Sequence, residues 1–344
     1  MRFEFYTDKL GDVPKLSVDG TVPNSIHFSH WQGNETPRSV KADTSTEIAL
    51  NLIASPLRGE LTRGIELVTN NHFDTDGVLS VWTVLQGERA LGLRRELISA
   101  AEAGDFSEWT SDEGVRASIV IQGADQPLPN ESILSPLANH LAGREVTDEA
   151  QAYELVLPEV ERVLTRTNDY EPLWSGAWRR MEAAAASFER GLSKVEEDAS
   201  TGLSVIRFAP EAFGTAAFDP ARQTVPLTAL SKYARGRLFL IALPAEGGRW
   251  FYRIDYPYYS WAETVVRPRV TRRNLSTVVA ELNEMETGAG EWRLDKNELA
   301  SAIKFMDEGG RLAVSTLTPD RVAQSLRGTL QASGVNVAET VTHG

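Results

Sequence analysis

The chain contains no cysteine, and this absence removes several kinds of site at once. Disulfide bridges, zinc ribbons, iron–sulfur clusters and thiol nucleophiles all need cysteine sulfur. Histidine is also scarce, with five in 344 residues, whereas Asp and Glu together number 48. Any metal site in this protein must therefore be built mainly from carboxylates, with a small number of imidazoles.

Long apolar runs and an excess of positive charge are absent too. No segment approaches the roughly 18 apolar residues of a membrane span, and the first ten residues lack the features of a secretory signal. We therefore expect a cytoplasmic protein that does not contact membranes. The net charge of −13 opposes binding to long nucleic acids, whose recognition requires many phosphates to be neutralised. A small anionic substrate and a homodimer are both compatible with this composition.

The order of apolar segments in the first half predicts an α/β fold with a mainly parallel sheet. Strand-like runs at 25–31 and 65–70 alternate with helical runs at 41–53 and 78–85. The last of these is apolar on all sides, which is typical of a buried helix. A further helical period covers residues 88–103, and Gly104 is predicted to end that helix.

Two domains are expected from the length and from a change in pattern along the chain. Residues 147–197 have a helical pattern, and the polar, turn-rich segment Lys194–Gly202 is the best linker candidate. We therefore predict an α/β domain at 1–196 and a smaller α+β domain at 203–344. Within the second domain, the segments flanking Pro244–Gly248 predict an antiparallel hairpin.

The most informative segment is Asn71–Ser80, NHFDTDGVLS, which follows the strand predicted at 65–70. His72, Asp74 and Asp76 alternate, so an extended backbone would place all three side chains on one side. Ligands bind at the carboxyl ends of strands in open α/β sheets. Hard carboxylate ligands with one imidazole suit manganese or magnesium better than iron or zinc.

Two other interpretations of this segment stay open. A calcium-binding EF-hand loop would need Glu at its twelfth position, which is Thr83 here, and a helix rather than a strand before it. A purely structural turn is the second alternative, with Asp74 and Asp76 capping the following helix.

The segment HFDTDGVLS after an apolar strand resembles the first motif of the DHH phosphoesterase superfamily. That superfamily includes single-strand exonucleases, oligoribonucleases and manganese-dependent inorganic pyrophosphatases. The resemblance implies a DHH-like N-terminal domain in which His72 and Asp74 bind one metal and Asp76 binds a second. Two bridged metals would then activate water for in-line attack on a phosphoester.

Other motifs of the superfamily have only partial counterparts in this chain. The Asp-His-His triplet is absent, and its nearest surrogate is Asn139-His140. The aspartate of the second motif corresponds to Asp105 or Asp125, although both positions also suit a cap or turn residue. We retain His140, Asp105 and Asp125 as candidate metal ligands.

Two further histidines, His27 and His30, lie in the strand-like run HFSHW. Residues three apart on a strand face opposite sides, so at most one of them can line a given site while the strand persists. Because this strand is expected to lie beside the one at 65–70, its end should approach the metal site. His30 is included among the candidate ligands.

Four arginines lie within seven residues in the second half of this otherwise acidic chain. Guanidinium groups suit bidentate recognition of phosphate or carboxylate, although a solvated, salt-bridged edge strand would have the same composition. Aromatic residues just before them are candidates for stacking on a substrate ring or for a place in the core. The predicted substrate-binding residues are Tyr259, Arg267, Arg269, Arg272 and Arg273.

The resemblance also implies a C-terminal domain that closes over the metal domain and binds substrate through arginines and a glycine-rich GGGH loop. No GGGH sequence occurs here. The sequence thus predicts a metal-dependent hydrolase acting on a small phosphoester or phosphoanhydride in an interdomain cleft. The alternatives are a repurposed metalloenzyme of specialised metabolism, acting on a carboxylate or amide, and a non-catalytic nucleotide-binding module.

Overall fold

The protein is described from a computed structural model that covers residues 1–128, 131, 133–295 and 299–338. The chain divides into two compact units, each containing one sheet. Unit 1 comprises Met1–Arg179 together with Trp261–Arg269, and unit 2 comprises Arg180–Ser260 and the chain from Val270 onward. The expected α/β class is confirmed, since one sheet is parallel, the other is mixed, and helices accompany both. None of the described helices is long and apolar enough to cross a lipid bilayer.

Unit 1 is built on a four-stranded parallel sheet with the order β1-β4-β2-β3. Its central strands carry fully buried Leu16, Val18 and Val68, as expected for a parallel sheet that is covered on both faces. The strands are β1 (Arg2–Phe3), β2 (Lys15–Val18), β3 (Ser25–Phe28) and β4 (Leu67–Thr69).

The helices of unit 1 follow the predicted pattern with one correction. The apolar run after Asp76 forms a helix that is buried from Thr75 to Val84, as predicted. Gly104, in contrast, does not end its helix, which continues to Phe106. A Cβ atom at this glycine would lie 2.6 Å from Cβ of Thr75. The role of Gly104 is therefore close packing against the preceding helix that begins at Thr75. The helices are α1 (Ser45–Ala54), α2 (Arg58–Leu61), α3 (Thr75–Gln86), α4 (Arg94–Phe106), α5 (Asp112–Gln122), α6 (Pro136–Ala142), α7 (Glu149–Val156), α8 (Val160–Thr165) and α9 (Glu171–Glu189).

Unit 2 contains a six-stranded mixed sheet with the order β5-β6-β7-β8-β10-β9. Strands β7 and β8 form the predicted antiparallel hairpin. The segment predicted as a linker instead begins with strand β5, which pairs antiparallel with β6. The strands are β5 (Lys194–Asp198), β6 (Leu203–Arg207), β7 (Leu238–Pro244), β8 (Trp250–Asp255), β9 (Glu291–Leu294) and β10 (Ser301–Met306), and the helices are α10 (Leu227–Leu230), α11 (Ser276–Met285) and α12 (Pro319–Ala338).

The core of unit 2 is one continuous apolar cluster formed by the sheet and two helices. Tyr252 and Trp292 are among its largest fully buried side chains, and α11 contributes Val278 and Leu282. These two helix positions are four apart, so they lie on the same face of α11. The apolar pattern of that helix therefore determines which face meets the sheet.

Candidate metal centre

Three loops of unit 1 bring ligand-type side chains to the same edge of the parallel sheet. Asp19 comes directly after β2, His30 is the second residue after the end of β3, and His72 is the third residue after the end of β4. Because these strands are parallel neighbours, their carboxyl ends meet at one edge. Together with side chains from α3 and α4, the loops form two overlapping groups that could hold metal ions.

Asp19 is shared by the two groups and is completely buried. Its Oδ1 atom lies 3.3 Å from Nε2 of His30 and accepts a hydrogen bond of 2.8 Å from the Ser45 hydroxyl. Its Oδ2 atom lies 3.1 Å from Nε2 of His72. The backbone of Asp19 has a φ of 51°, which is uncommon for a residue with a side chain and is tolerated by aspartate. One carboxylate thus faces both groups, through a different oxygen in each case.

The inner cluster consists of Asp19, His30, Asp76 and Asp105, and its four ligand atoms lie within 4.8 Å of one another. Nε2 of His30 lies 3.1 Å from Oδ2 of Asp105 and 3.7 Å from Oδ2 of Asp76. All four side chains are at least nine-tenths buried. The inner cluster therefore gathers three carboxylates around a single imidazole, away from solvent.

The orientation of the His30 ring favours a ligand role. Its Nδ1 atom lies 2.6 Å from the backbone oxygen of Asp43. A carbonyl can only accept, so Nδ1 carries a proton, and His30 in its neutral form would present the Nε2 lone pair to the inner cluster. Burial opposes the imidazolium, but the nearby carboxylates of Asp105 and Asp19 hold the pKa of His30 well above its ordinary value, so an ion would have to displace a proton from Nε2. Among the described residues this buried Nε2 has no hydrogen-bond partner of good geometry, although carboxylates surround it. A backbone carbonyl that fixes the tautomer of a histidine is typical of metal sites.

Asp76 is held in place by the first turn of α1. Its two carboxylate oxygens accept hydrogen bonds from the backbone N–H groups of Ser45 and Thr46, at 2.6 and 2.7 Å. These amides would otherwise be unsatisfied, and the helix dipole favours negative charge at this end. The carboxylate is thereby oriented before any ion binds.

The outer cluster consists of Asp19, His72 and Asp74. Nε2 of His72 lies 2.9 Å from Oδ2 of Asp74, and these side chains are 27% and 20% exposed. The other oxygen of Asp74 accepts a hydrogen bond of 2.7 Å from the backbone of Gly77, so Asp74 is the N-cap of α3. Capping thus accounts for one oxygen of Asp74, and Asp76 instead bonds to α1.

The concentration of charge shifts the pKa values of these groups. Burial and the neighbouring charge of Asp19 raise the pKa of Asp76 to about 7. Burial also raises the pKa of Asp105 well above its ordinary value, with the charges of Asp74 and Asp76 acting in the same direction. For His72, burial opposes the imidazolium, but the charge of Asp74 raises the pKa to about 12. The centre therefore holds extra protons where a bound cation would otherwise balance its carboxylates.

An aromatic wall covers the centre within unit 1. The ring of Trp31 packs edge-on against His72, with 5.5 Å between centroids, and Trp261 packs edge-on against His30 at 5.0 Å. The two tryptophans also contact each other at 4.7 Å, and Phe106 lies next to Trp261. This wall limits the access of water to the inner cluster.

Arg267, predicted to bind substrate, is engaged by acidic groups of its own unit. Its guanidinium lies 2.9 Å from Asp43 and 2.7 Å from Glu102, and it also pairs with Glu108. The carboxylate of Asp43 further accepts the backbone N–H groups of residues 265–267. These bonds attach the segment Trp261–Arg269 to unit 1.

The remaining predicted substrate residues are not members of the two clusters, and they are divided between the two units. Arg269 is exposed at the end of unit 1, and Tyr259 packs against the core of unit 2. In unit 2, the Arg272 guanidinium lies over the ring of Tyr256 at 5.2 Å, and Arg273 donates to the backbone oxygen of Leu330.

Three polar candidates from the sequence lie outside both clusters. Asp125 accepts a hydrogen bond from the backbone of Gln126, and His140 is exposed in the last turn of α6. His27 accepts from the backbone of Glu35. Among the described residues, the clusters thus combine the sequence-derived His30, His72, Asp74, Asp76 and Asp105 with Asp19.

Sequence reasoning missed Asp19, although its local pattern is visible in retrospect. The stretch KLSVDG places an Asp-Gly pair directly after a short apolar strand, as the motif at 65–77 does on a larger scale. A Cβ atom at Gly20 would lie 2.7 Å from Oδ1 of Asn71, so the glycine lets the side chain of Asn71 approach the backbone closely. An aspartate at the end of an apolar strand and next to a glycine is the pattern that could have identified this ligand.

Comparison with known proteins gives a family and no characterised relative. No curated protein matches the chain. A family model matches residues 1–337, a span that includes both units and every member of the two clusters. The chain therefore belongs to the family of unknown function DUF6687.

Proposed function

We propose that this protein is a divalent-metal-dependent hydrolase that acts on a small phosphoester or phosphoanhydride. The observation that carries the proposal is the position of Asp19, whose two oxygens face two separate ligand groups. A carboxylate shared in this way is suited to a pair of metal ions. Paired divalent ions supply a nucleophilic water and stabilise the developing charge in displacement at phosphorus.

The donor set supports two hard cations. The inner cluster offers three carboxylates and one imidazole, and the outer cluster offers two carboxylates and one imidazole, with Asp19 counted in both. Oxygen-rich sets with one imidazole suit manganese, while magnesium, iron and zinc are the alternatives. When both histidines are neutral, the four different carboxylates give the centre four negative charges. Two divalent cations would balance that charge.

In this proposal the residues of the inner cluster bind and orient. His30 is fixed by its bond to the Asp43 carbonyl, and Asp76 by the amides of α1. Neither needs to reorganise when an ion binds, so the site is preorganised. Asp105 completes the set from α4, where Gly104 allows that helix to approach Thr75.

The substrate would approach the centre from the side of the outer cluster. His72 and Asp74 are partly exposed, whereas Asp19, His30 and Asp76 are completely buried. Among the described residues of the two clusters, His72 and Asp74 are the more exposed, so a phosphoryl group would approach the centre from their side. Trp31, which packs against His72, provides an apolar wall beside that approach.

The resemblance to DHH phosphoesterases adds support of a different kind. It implies that His72 and Asp74 serve one metal and Asp76 serves the other. The two clusters divide these residues in the same way, with His72 and Asp74 in the outer cluster and Asp76 in the inner cluster. Asp19 and His30 add ligands from β2 and β3 to a chain that lacks the Asp-His-His triplet.

The test is metal analysis combined with an activity assay on the full chain. Purified protein is loaded with Mn²⁺, its metal content is measured by mass spectrometry, and phosphate release is followed with pyrophosphate and p-nitrophenyl phosphate. Asp74→Asn should lower both metal content and turnover. Asp125→Asn is the matched control, because it removes the same charge from a position outside both clusters, and it should keep both.

Three results would contradict the proposal in different ways. Failure of the wild type to retain or respond to any divalent metal would exclude the metal centre. A full complement of metal without phosphate release would indicate that the centre acts on another bond, such as an amide. Stabilisation by a nucleotide without turnover would indicate a binding module.

A further inference from the structure

Unit 2 contains a polar cavity of about 360 Å³. It lies at the turn between β5 and β6, where the start of β7 and the residues after Val270 also contribute. Its polar lining includes Ser200, Thr201, Arg237, Tyr256, Thr271 and Arg273, and aspartate and glutamate are absent from its described lining. In a chain with a net charge of −13, a cavity with two arginines and no lining carboxylate is a local exception.

The two arginines are positioned by their surroundings while retaining most of their donors. The aliphatic part of the Arg237 side chain lies along Gly202. A Cβ atom added to Gly202 would lie 3.5 Å from Cβ of Arg237. Arg273 donates through Nη1 to the backbone oxygen of Leu330 at 3.0 Å, and its backbone N–H donates to the Tyr256 hydroxyl. A guanidinium has five donor N–H groups, so both side chains keep donors for a ligand.

Asp198 holds the turn that forms the floor of the cavity, and an arginine from α12 balances its charge. Asp198 accepts from the backbone and hydroxyl of Ser200 and pairs with Arg327 at 3.1 Å. The Ser200 and Thr201 hydroxyls beside this carboxylate lower the pKa of Asp198 to about 2. The acid nearest to the cavity therefore already has its own partners.

We propose that this cavity is a second anion site, which binds the phosphate group of a small phosphorylated molecule through Arg237 and Arg273. Two guanidiniums match the charge of a phosphate dianion and can bind its oxygens in pairs. The volume lies near the lower end of the range for small-molecule pockets, so it leaves room for a short organic group beside the phosphate. The apolar side chains of Leu238 and Val270 line the space for that group.

Calorimetric titration of the full-length, chelator-treated protein tests this site separately from the metal centre. The probes are inorganic phosphate, glycerol 3-phosphate and malonate, the last being a dicarboxylate of similar charge. Glycerol 3-phosphate should bind with a Kd of about 1 mM or tighter. Arg237→Gln and Arg273→Gln should each weaken binding about tenfold, because each removes charge-assisted hydrogen bonds.

Matched variants distinguish a built site from a general charge effect. Arg311→Gln removes one positive charge from an exposed position outside the cavity lining and should leave the Kd unchanged. Asp19→Asn, which alters the metal centre, should bind phosphate as the wild type does.

The proposal is overturned if neither phosphate nor glycerol 3-phosphate binds the wild type. It is also overturned if Arg311→Gln weakens binding as much as the two cavity variants do, or if those two variants bind normally. Tighter binding of malonate than of glycerol 3-phosphate would overturn the assignment to phosphate. Because the metal is removed throughout, these outcomes are independent of whether the protein proves to be a hydrolase.

Discussion

The two units bury charged groups in opposite ways. In unit 2, Arg253 and Asp255 are both buried and pair with each other at 2.9 Å, within a unit whose core is one apolar cluster. In unit 1, four carboxylates face two histidines, and the pKa values of Asp76 and Asp105 are raised. A buried carboxylate with a raised pKa lowers stability at neutral pH, whereas a well-paired charge need not. The buried charges of unit 2 are therefore arranged as in a stable scaffold, and the buried charges of unit 1 are arranged as in a binding site.

The largest effect is expected from removing the carboxylate that the two clusters share. Asp19→Asn keeps the shape of the side chain but should abolish the simultaneous binding of two ions. Substitution of residues outside the ligand shell of a metal site typically lowers metal affinity or activity by about 10- to 100-fold. Loss of this ligand should therefore lower turnover by more than about 100-fold. Metal content and phosphate release measure the result. Asp8→Asn, an exposed aspartate of unit 1, is the control, and equal losses in both variants would refute the special position of Asp19.

The next effect concerns the packing that brings α4 to the centre. Gly104→Ala would place a Cβ 2.6 Å from Thr75 Cβ, and overpacking of this kind costs about 1–3 kcal/mol. Because Asp105 is the next residue, the variant should also bind Mn²⁺ more weakly. Gly92→Ala is the matched control, since a Cβ there meets nothing within 4 Å. Calorimetric melting with and without Mn²⁺ measures both effects, and an unchanged response to Mn²⁺ in Gly104→Ala would separate packing from binding.

Metal affinity should depend on pH through the protons that the centre holds without metal. A proton on Asp76, with a pKa of about 7, competes with the ion, so affinity for Mn²⁺ should rise at least about tenfold between pH 6 and pH 8. His72, with a pKa raised to about 12, acts in the same direction.

The same protons set the sign of the stability change in metal-free protein. Raised native pKa values mean that the folded state holds more protons than the unfolded state, so stability falls as pH rises through this range. Melting curves at several pH values, with chelator or Mn²⁺, measure both trends. Affinity that is constant from pH 6 to pH 8 would show that these groups are not ligands.

The smallest effect is expected in unit 2, where a carboxylate has a purely structural role. Glu286 accepts hydrogen bonds from Gly288 N–H, Thr316 N–H and the Ser315 hydroxyl, and although burial opposes its charge, these bonds lower its pKa to about 2. Its contribution is present above the ordinary pKa of 4.5 and is lost as the pH falls toward 2.

Glu286→Gln should therefore lower the free energy of unfolding at pH 7 by about 1 kcal/mol, because solvent screens a partly exposed group. The difference from wild type should shrink as the pH falls toward 2. Metal content should not change. Glu281→Gln, an exposed position on the preceding helix α11, is the control, and a loss of Mn²⁺ binding in Glu286→Gln would contradict the division of roles between the units.

Local patterns in the sequence predicted much of unit 1. Strand β4, the buried helix α3 and the candidate ligands His72, Asp74 and Asp76 all follow from one stretch of apolar periodicity and its polar end, and β3 follows from the separate run at 25–31. Their prediction succeeded as far as it did because a strand, its turn and the following helix are close in the chain. The metal roles of these residues remain predictions.

The features that were missed depend on contacts between distant segments. Asp19 directly follows a four-residue strand that was too short to be recognised, and its importance appears only when β2 lies beside β4. Strand β5 has the sequence KVEED, whose charges resemble a linker because the strand lies at the edge of its sheet. Gly104 looks like a helix terminus unless Thr75 is known to lie against it.

Asp43 has one further consequence, which concerns the order of synthesis. Its carboxylate binds the backbone of Val265, 222 positions later in the chain, while its carbonyl holds His30. The first 179 residues can leave the ribosome and begin to collapse, but the partner of Asp43 and the indole beside His30 are then still untranslated. The centre in the first unit is thus completed only after residues 180–260 of the second unit have been made. A fragment that ends before Trp261 would lack this contact however well it folded.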